Sequence, residues 1–440
     1  MMYSFNFLDN LVDLQKNDNA VGITSICSAN PEVLETILRY ALKTDNLVLI
    51  ESTCNQVNQY GGYTGMDPIS FVTHLRTLAE KIGFPEDHLL IGGDHLGPNV
   101  WKNEATDLAM EKSRLLVRDY INAGYQKIHI DTSMKCGNDP QDRPLEPKVI
   151  AERTADLVAV SESTFSKMGI KKNYLRYVIG TEVPTPGGIQ GENETANPTK
   201  QEDIQETIEL TKRAFYNWGL DEAWERVIAV VVQPGVEFGD HTIIDYDPAA
   251  AVDLKHFIEK QKHLIYEVHS TDFQTQNSLK QLVEDHFAIL KVGPALTFAY
   301  REAIFALALI EQELSSIRKD WKTSNIINII ENAMLDYPEY WQSYYLGSEE
   351  ENAFSRRFSF SDRIRYYFPV EDVQEALGLM IENLSNIEIP LSLLSQYLPN
   401  QYRNIRSGSL PNKPTAILQH SIIQVYKDYL FACGNDLINI

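Results

Sequence analysis

The sequence of 440 residues predicts an α/β fold with a helical region at its end, and two patterns carry this prediction. Before residue 300, eight short apolar runs each end in polar or ionisable residues, and segments with helical periodicity lie between them. The runs are GITSICS from Gly22, LVLIES from Leu47, LLIGGDH from Leu89, KIHIDT from Lys127, RYVIGTE from Arg176, RVIAVVVQ from Arg226, LIYEVHS from Leu264 and FAILKVG from Phe287. An eightfold alternation of strand and helix is typical of the closed (β/α)8 or TIM barrel, whose active sites form at the carboxyl ends of the strands.

A doubly wound open sheet is the alternative, because it also alternates strands and helices. Runs such as VIAVVV are apolar throughout, which suits strands buried on both faces in either fold. The count of eight favours the barrel. The polar residues that follow every run also favour the barrel, because an open sheet binds its ligand at a single switch point between strands.

Helix start signals follow several of the runs. Asn30, Pro31 and Glu32 are typical of an N-cap, a proline in the first turn and an early acidic residue. The Asp-Pro pairs at Asp67 and Asp247 predict two more helices in the same way. Further helical stretches are predicted over 103–124, 146–168, 200–218, 272–284 and 295–315.

From about Trp321 onward the alternation of strand and helix stops. Helical patterns over 323–335, 370–386 and 415–432 are linked by loops rich in proline, serine and asparagine. A barrel needs only about 250 residues, so an additional region is expected. We predict a barrel over residues 1–318 and a helical extension over 319–440 that packs on it.

The composition excludes several classes of protein. The formal net charge is -22, whereas a general nucleic-acid binder or a protein of anionic membranes needs a net basic surface. No run approaches the roughly 18 apolar residues of a membrane span, and the N-terminal segment lacks the pattern of a signal peptide. The four cysteines are scattered without CxxC spacing, as in a reduced protein. We expect a soluble, cytoplasmic protein with no nucleic-acid or membrane partner.

The segment IGGDHLGPN, from Ile91, is the sharpest local signal for a site. It places an acid, Asp94, next to a nitrogen ligand, His95. A second histidine, His269 in EVHSTD, and an acid, Glu182 in GTEVPTPGG, follow two other runs. Two imidazoles and a carboxylate suit zinc or a similar divalent ion with an open position for a substrate oxygen. The alternative is a structural, hydrogen-bonded Asp–His pair.

Other strand exits add candidates. Glu51 and Asp131 are possible proton acceptors at the barrel mouth. Lys291 could bind a phosphate or form a buried ion pair with one of these two carboxylates, and both interpretations remain open. His129 has the same strand parity as Asp131, and we expect it to be a satisfied core histidine rather than a ligand.

Glycines mark two further places. Gly92 and Gly93 precede Asp94 and would let a substrate or a metal approach the backbone. The loop NQYGGYTG contains Gly61 and Gly62, whose N–H groups could bind a phosphate, although a tight bend is the alternative. The sequence contains no GxxxxGK[ST], GxSxG or HExxH motif. Two possibilities therefore remain: metal-dependent chemistry at a carbon centre, or no catalytic activity.

A series of long motifs carries a family resemblance. The motifs are LIESTCNQVNQYGGYTGM, GGDHLGPNVW, KIHIDTSM, VIGTEVPTPGG, VVQPGVEFGD, EVHSTDFQT, ILKVGPALTFAYREA and FSFSDRIRYYF. In this order, over about residues 20–370, they closely resemble the D-tagatose-1,6-bisphosphate aldolase Z-subunit family (GatZ/KbaZ). The resemblance implies a TIM barrel related to the class II aldolases. Well-known members are described as non-catalytic partners that activate a separate catalytic Y subunit, and some members have been put forward as metal-dependent ketohexose 4-epimerases.

The resemblance also implies roles for individual residues. Beside class II aldolases, Asp94 takes the place of a proton-transfer acid, and His95 and His269 take the places of metal ligands. On the sixth strand the catalytic relatives have a further histidine, where this chain has Gln233. Glutamine is a weaker zinc ligand than imidazole, so Glu182 is expected to complete the site, or the metal is lost.

The arginine-rich segment SRRFSFSDRIRYYF stands out in an otherwise acidic chain. Its equivalent recurs in the family, and we expect it to fold over the barrel mouth with Arg363 or Arg365 facing the ligand. A guanidinium there would hold a phosphate or sugar hydroxyls in bidentate fashion. The alternative is a solvated basic face.

Two functions of different class remain open. The first is a Z-type subunit in ketohexose or ketohexose phosphate metabolism that supports a catalytic class II aldolase Y subunit, and PEYWQSYYLG from Pro338 would suit its exposed contact patch. The second is a stand-alone ketohexose 4-epimerase that interconverts fructose and tagatose by retro-aldol chemistry, with Asp94 taking the C4 hydroxyl proton. The enzyme would require a divalent metal, for which zinc is expected. A homo-oligomer is open in both cases.

Overall fold

A computed structural model of the protein describes residues 3–170, 174–181 and 196–434. Eight parallel strands close into one barrel and follow one another around it in chain order. The strands are β1 Ile23–Ile26, β2 Val48–Thr53, β3 Leu89–Leu96, β4 Lys127–Ile130, β5 Arg176–Gly180, β6 Val227–Val231, β7 Ile265–Val268 and β8 Phe287–Val292. The ring closes where Ile23 of β1 pairs with Ile289 of β8. The predicted (β/α)8 barrel is confirmed, and the open sheet is excluded.

Each barrel strand is followed by at least one helix of the outer layer. In the described ranges the α-helices are α1 Tyr3–Lys16, α2 Pro31–Thr44, α3 Pro68–Ile82, α4 Thr106–Ala123, α5 Pro147–Lys167, α6 Gln201–Asn217, α7 Asp221–Trp224, α8 Val252–Glu259, α9 Gln276–Glu284, α10 Pro294–Ser315, α11 Ile326–Asp336, α12 Glu349–Phe358, α13 Glu371–Ser385, α14 Leu391–Tyr397, α15 Pro399–Arg406 and α16 Pro414–Ala432. A short antiparallel hairpin, Glu237–Phe238 with Ile243–Ile244, lies between β6 and α8.

The capping signals in the sequence act where they were expected, with one exception. The Asn30 side chain accepts hydrogen bonds from two backbone N–H groups of the first turn of α2. Asp67 caps α3 in the same way, through the N–H of Ser70. Asp247 instead accepts from the N–H of Ala249 in a turn, and α8 begins only at Val252. Side-chain oxygens therefore fix the entry of the two helices that follow β1 and β2.

Helix α1 closes one end of the barrel. Its residues Phe7, Leu8, Leu11 and Val12 are buried, and they share one apolar cluster with inward-facing strand residues such as Leu49. Asp9 of α1 forms an ion pair with Arg176 at the start of β5. Because this amino-terminal end is filled by apolar side chains, polar residues can gather inside the barrel only towards the carboxyl ends of the strands.

The predicted helical region after the barrel is present, and its last described helix packs against the outer layer. Helix α16 contacts α2, α9 and α10, and it also approaches β1. The backbone N–H of Gly22 donates to the carbonyl oxygen of Cys433 at 3.0 Å, and the Tyr429 hydroxyl donates to the carbonyl oxygen of Thr271 at 2.8 Å. Helix α16 thus forms part of the outer helical layer. Throughout the described ranges, no helix has the length and apolarity needed to cross a bilayer.

Candidate functional site

The polar residues of five strand ends meet inside the barrel, on the side away from α1. They are Glu51 on β2, Asp94 and His95 on β3, His129 on β4 with Asp131 just beyond it, Glu267 on β7 with His269 just beyond it, and Lys291 on β8. All except His95 are buried, and His95 is nearly so. Six of these residues were singled out from the sequence as site candidates.

Three imidazoles and one carboxylate form the centre of this site. His95, His129, His269 and Asp94 each offer a ligand atom, and these atoms all lie within 4.8 Å of one another. The ring centroids are 4.9 Å apart for His95 and His129 and 4.7 Å apart for His95 and His269. This donor set fits a divalent ion, because neutral imidazole nitrogens bind zinc and similar metals. We refer to the four residues as the histidine cluster.

His129 has a larger role than the sequence indicated. It is a satisfied core histidine as expected, since its Nε2 lies 3.0 Å from the carbonyl oxygen of Gly180. Its Nδ1 also lies 2.9 Å from Asp94 Oδ1, which brings the ring into the histidine cluster. The signal was present in the sequence, because His129 points into the barrel two residues before the candidate Asp131.

The backbone of β3 bends sharply to present His95. The pairing with β4 shifts between Gly93 and Leu96, and His95 has a φ of 49°, in the left-handed region that few non-glycine residues adopt. A Cβ on Gly92 would lie 2.7 Å from Glu51 Cγ, and one on Gly93 would lie 2.7 Å from the Tyr120 ring. These glycines therefore make room for protein side chains, which corrects the expectation that they admit a substrate or a metal.

Asp131 orients His95 from outside the cluster. Its Oδ2 lies 3.0 Å from His95 Nδ1, while its Oδ1 accepts hydrogen bonds from the Ser133 hydroxyl and N–H. Burial raises the pKa of the Asp131 carboxyl, but the bond and charge of His95 outweigh burial and hold the pKa below its usual range. An ionised carboxylate behind a metal-binding imidazole fixes the ring and its tautomer. The contact allows Asp131 to orient the His95 ring.

A network of buried charges lies beneath the histidine cluster. Lys127 Nζ is 2.8 Å from Glu51 Oε1 and 2.5 Å from Glu267 Oε2. Lys291 Nζ is 2.5 Å from Asp94 Oδ1 and 3.0 Å from Glu51 Oε2. Lys291 thus forms the buried ion pair that was one of its two predicted roles, with Glu51 and with Asp94 rather than Asp131. Glu51 is enclosed between the two lysines.

The network sets the charge of the groups above it. Burial raises the pKa of the Asp94 carboxyl, but His95 and Lys291 outweigh burial and hold the pKa well below its usual value. Burial, aided by the charge of Lys291, lowers the pKa of His269 to about 3. Near neutral pH, Asp94 is therefore a carboxylate and His269 is a neutral imidazole with a lone pair to offer.

The predicted metal ligand Gln233 is not part of the histidine cluster. Gln233 Oε1 accepts the N–H groups of Gly235 and Val236 at 2.8 and 2.9 Å, so it builds the turn after β6. This corrects its assignment as a ligand, because its acceptor oxygen is already used. Glu182 lies outside the described residues.

The glycines predicted to bind a phosphate make a tight bend instead. The N–H of Gly61 donates to the carbonyl oxygen of Asn58 at 2.8 Å, and the N–H of Gly62 donates to Asn58 Oδ1 at 3.3 Å. Gly62 has a φ of 55°, and a Cβ there would lie 2.3 Å from the carbonyl oxygen of Gln56. Both amides are occupied, which corrects the predicted role in binding a phosphate.

The two arginines of the segment SFSDRIRYYF have different positions. Arg363 is buried, donates to the carbonyl oxygen of Tyr340 at 2.9 Å and stacks on the Tyr344 ring. This corrects the expectation that Arg363 faces a ligand. Arg365 lines a cavity at the barrel mouth. The segment PEYWQSYYLG, which the sequence suggested as a contact patch, is only partly exposed. Its Trp341 is buried, whereas its Leu346 is 74% exposed.

The fold and the site together define a (β/α)8-barrel protein with a candidate metal centre at the carboxyl ends of its strands. The family model described as D-tagatose-1,6-bisphosphate aldolase subunit GatZ/KbaZ-like matches residues 8–434. The chain is 46% identical over 428 residues to the D-tagatose-1,6-bisphosphate aldolase subunit GatZ of Salmonella dublin, which covers 97% of this chain and 99% of that protein. The GatZ protein of Escherichia coli K12 is also 46% identical, over 424 residues, with 96% and 99% covered.

A solved structure is also similar to this chain, in both sequence and fold. The crystal structure of a probable tagatose 6 phosphate kinase from Sinorhizobium meliloti 1021 superposes with a TM-score of 0.84 at 40% identity, covering 94% of this chain and all of that one. The chain therefore belongs to the GatZ/KbaZ-like family of D-tagatose-1,6-bisphosphate aldolase subunits.

Proposed function

We propose that this protein acts in ketohexose phosphate metabolism as the Z-type subunit of a tagatose-bisphosphate aldolase. Relatives that bear this name match it over nearly their whole length. We also propose that its own barrel is competent for metal-dependent aldol chemistry. One observation supports this second step. Three imidazoles lie beside an ionised Asp94, and the buried Lys291 stabilises the negative charge of that carboxylate.

The residues of the cluster would have different chemical roles. His95, His129 and His269 would hold a divalent ion, for which three imidazoles favour zinc. When bound, such an ion polarises the oxygens of a ketose and stabilises negative charge as a carbon–carbon bond breaks. Asp94 would accept the C4 hydroxyl proton as the C3–C4 bond cleaves, because Lys291 at 2.5 Å keeps it a carboxylate. Asp131 keeps the His95 ring in place.

A ketohexose 4-epimerase is the second candidate function. It requires the same cleavage, followed by re-addition of the aldehyde fragment after it has turned over, which inverts C4. The observation that favours it is that every residue of the cluster comes from this chain. Asp94 could therefore serve both directions of proton transfer without a second subunit.

The test is to purify the full chain, measure its bound divalent metal, and assay it alone. D-tagatose 1,6-bisphosphate cleavage would be measured with and without a catalytic aldolase subunit, and fructose–tagatose interconversion would be measured in parallel. Metal at one ion per chain, with turnover by the chain alone that is lost in His129→Ala, is the expected result. Turnover only with the partner, unchanged in His129→Ala, would limit this chain to a supporting subunit.

Assembly with a catalytic Y subunit, or with a second copy, is part of the same proposal. Several exposed apolar side chains are available for such a contact: Leu346, Tyr344, Tyr337 and, on α12, Phe354 and Phe358. Exposed apolar patches are typical of contact surfaces. A cytoplasmic location is proposed with this function, because the four cysteines are free thiols, as is usual in a reducing compartment.

A further inference from the structure

One buried hydrogen-bond donor of the barrel has no partner. The Nε2 group of Gln233 has no acceptor among the residues that the structure describes, although the side chain is only 1% exposed. A buried donor without an acceptor costs free energy, so native proteins keep few of them. Where one is kept, a role in catalysis or in binding is a common reason. None of the roles derived above uses this group.

The contacts of Gln233 fix the direction of this donor. Its Oε1 accepts the N–H groups of Gly235 and Val236, which an amide nitrogen could not do, so the oxygen and the nitrogen are told apart. The main chain is fixed as well. The Gln233 N–H donates to Thr199 Oγ1, and the Gln233 carbonyl oxygen accepts the N–H of Thr199, both at 2.8 Å. The NH₂ group is therefore held in one orientation before any ligand arrives.

The alternation of side chains along β6 points Gln233 into the barrel. Val231 belongs to the apolar cluster inside the barrel, whereas Val232 packs in the cluster between strands and helices. Successive side chains of a strand lie on opposite faces, so Gln233 follows Val231 onto the inner face. The pairing with β7 continues this far, since the Val232 N–H donates to the carbonyl oxygen of Glu267 at 3.4 Å.

The strand register gives the level that Gln233 reaches. Val231 pairs with Glu267 of β7, and Glu267 pairs with the residue of β8 that lies two positions before Lys291. Two residues further along each strand, the same register brings Gln233, His269 and Lys291 to one level. This is the level of the histidine cluster and of the lysine that contacts Asp94. The unpaired donor thus faces the candidate site.

An amide NH₂ group suits an oxygen of the substrate and not a metal ion, because it has hydrogens to donate and no lone pair to share. The cleavage proposed above produces such an oxygen. The C4 hydroxyl gives its proton to Asp94 and becomes a carbonyl, the C3–C4 electron pair forms a C2–C3 double bond, and the C2 carbonyl electrons move onto the C2 oxygen. A fixed donor at the place where this charge develops stabilises the transition state.

We propose that Gln233 binds the ketose directly, by donating an Nε2–H to the C2 oxygen, and that it stabilises the enolate formed when the C3–C4 bond breaks. This inference deepens the proposed function and rests on it. The glutamine that cannot serve as a metal ligand would then serve as a substrate-binding residue.

The variant Gln233→Glu removes the donor and keeps the rest of the side chain. One carboxylate oxygen can still accept the two N–H groups of the turn, while the other replaces the NH₂ group. Gln274→Glu is the matched control. Gln274 is also buried and its Oε1 accepts the N–H of Tyr246, but its Nε2 has a partner, the carbonyl oxygen of Ile244 at 2.8 Å.

The unaltered full-length protein and both variants are compared in the assays described above, in calorimetric titration with D-tagatose and in urea unfolding. Gln233→Glu should lower kcat about 100-fold or more, as loss of a donor to a developing oxyanion does. It should weaken the Kd for D-tagatose by up to about tenfold, the range of one hydrogen bond. Gln274→Glu should leave kcat and Kd unchanged and lose more stability, because it places a carboxylate oxygen against a carbonyl oxygen. Unchanged kcat and Kd in Gln233→Glu, or a loss of stability in it without a change in Kd, would overturn the inference.

A crystal structure of the unaltered protein with D-tagatose bound needs no variant and covers a failure of Gln233→Glu to fold. Gln233 Nε2 should lie about 2.7–3.2 Å from the C2 oxygen, and a protein acceptor for this group in place of the sugar would overturn the inference. Metal content is measured on the same samples. A protein without metal or turnover whose Kd for D-tagatose still weakens in Gln233→Glu would refute the proposed chemistry and leave the contact with the ketose standing. Turnover that Gln233→Glu leaves unchanged would refute this inference alone, and a protein that binds no ketose would refute both.

Discussion

Replacing Lys127 tests whether the buried charge network determines the stability of the barrel. The Lys127 side chain is fully buried, and its Nζ lies between one carboxylate oxygen of Glu51 and one of Glu267, at 2.8 and 2.5 Å. Lys127→Met keeps the length and apolar stem of the side chain and removes only the charge. Two buried carboxylates then share Lys291 as their remaining cation.

The expected loss of stability is large. Removing one partner of a buried ion pair costs about 3–5 kcal/mol, because an uncompensated charge stays in a low-dielectric interior. Exposed pairs behave differently. Lys280 and Glu284 lie 3.5 Å apart with side chains 49% and 45% exposed, and such helical pairs contribute only about 0.3–0.5 kcal/mol. Lys280→Met is the matched control.

The pH dependence has a definite sign. Burial raises the pKa of Glu267, but Lys127 and Lys291 outweigh burial and hold the pKa well below its usual value. A depressed pKa contributes stability that is present above the unfolded value of about 4.3 and is lost as the pH falls towards the folded value. Without Lys127 this contribution shrinks or reverses. The deficit of Lys127→Met should therefore be greatest near pH 7 and become smaller below about pH 4.3.

The assay is urea unfolding at pH 7 and at pH 4, followed by circular dichroism, for both lysine variants. The double variant Lys127→Met with Glu267→Gln should recover part of the loss, because it removes one of the uncompensated carboxylates. A Lys127→Met protein that loses no more stability than Lys280→Met, or that loses more at pH 4 than at pH 7, would refute this description of the network.

Three further predictions concern the site itself. Asp94→Asn should lower any turnover by about 100-fold or more while bound metal and fold are kept, and wild-type turnover in steady-state assays would show that the base lies elsewhere. His129→Ala should lower the metal content measured by mass spectrometry, whereas Gln233→Ala should not, because the Gln233 oxygen serves a turn. Asp131→Asn should weaken metal affinity about 10- to 100-fold in competition with a chelator, since it orients His95, and unchanged affinity would contradict that role.

The fold could be predicted because its signals are local and repeated. Eight apolar runs separated by helical periods leave few topologies, and the carboxyl ends of parallel strands must meet at one end. The sequence could therefore predict that Asp94, His95 and His269 lie close together, since each follows a run. The same argument gave Lys291 a buried ion pair as one of two roles.

What the sequence left undecided depends on contacts between distant segments. Gln233 has a ligand-like position on its strand, and only the turn at Gly235 shows that its oxygen is already used. Arg363 and Arg365 are two residues apart, yet one stacks in the extension and the other lines a cavity. Periodicity predicts the direction in which a side chain points, but it does not predict which distant residue the side chain contacts.

The backbone hydrogen bond between Gly22 and Cys433 has a consequence for the folding of the protein during synthesis. During synthesis the first strand leaves the ribosome roughly four hundred residues before the helix that covers it, α16, so the outer layer of the barrel stays incomplete until α16 has been made. A product that stops before Pro414 would leave the buried faces of α2, α9 and α10 open to water. Nonsense and frameshift variants that remove α16 should therefore yield aggregation-prone barrels that quality control removes, rather than shortened proteins with an intact site.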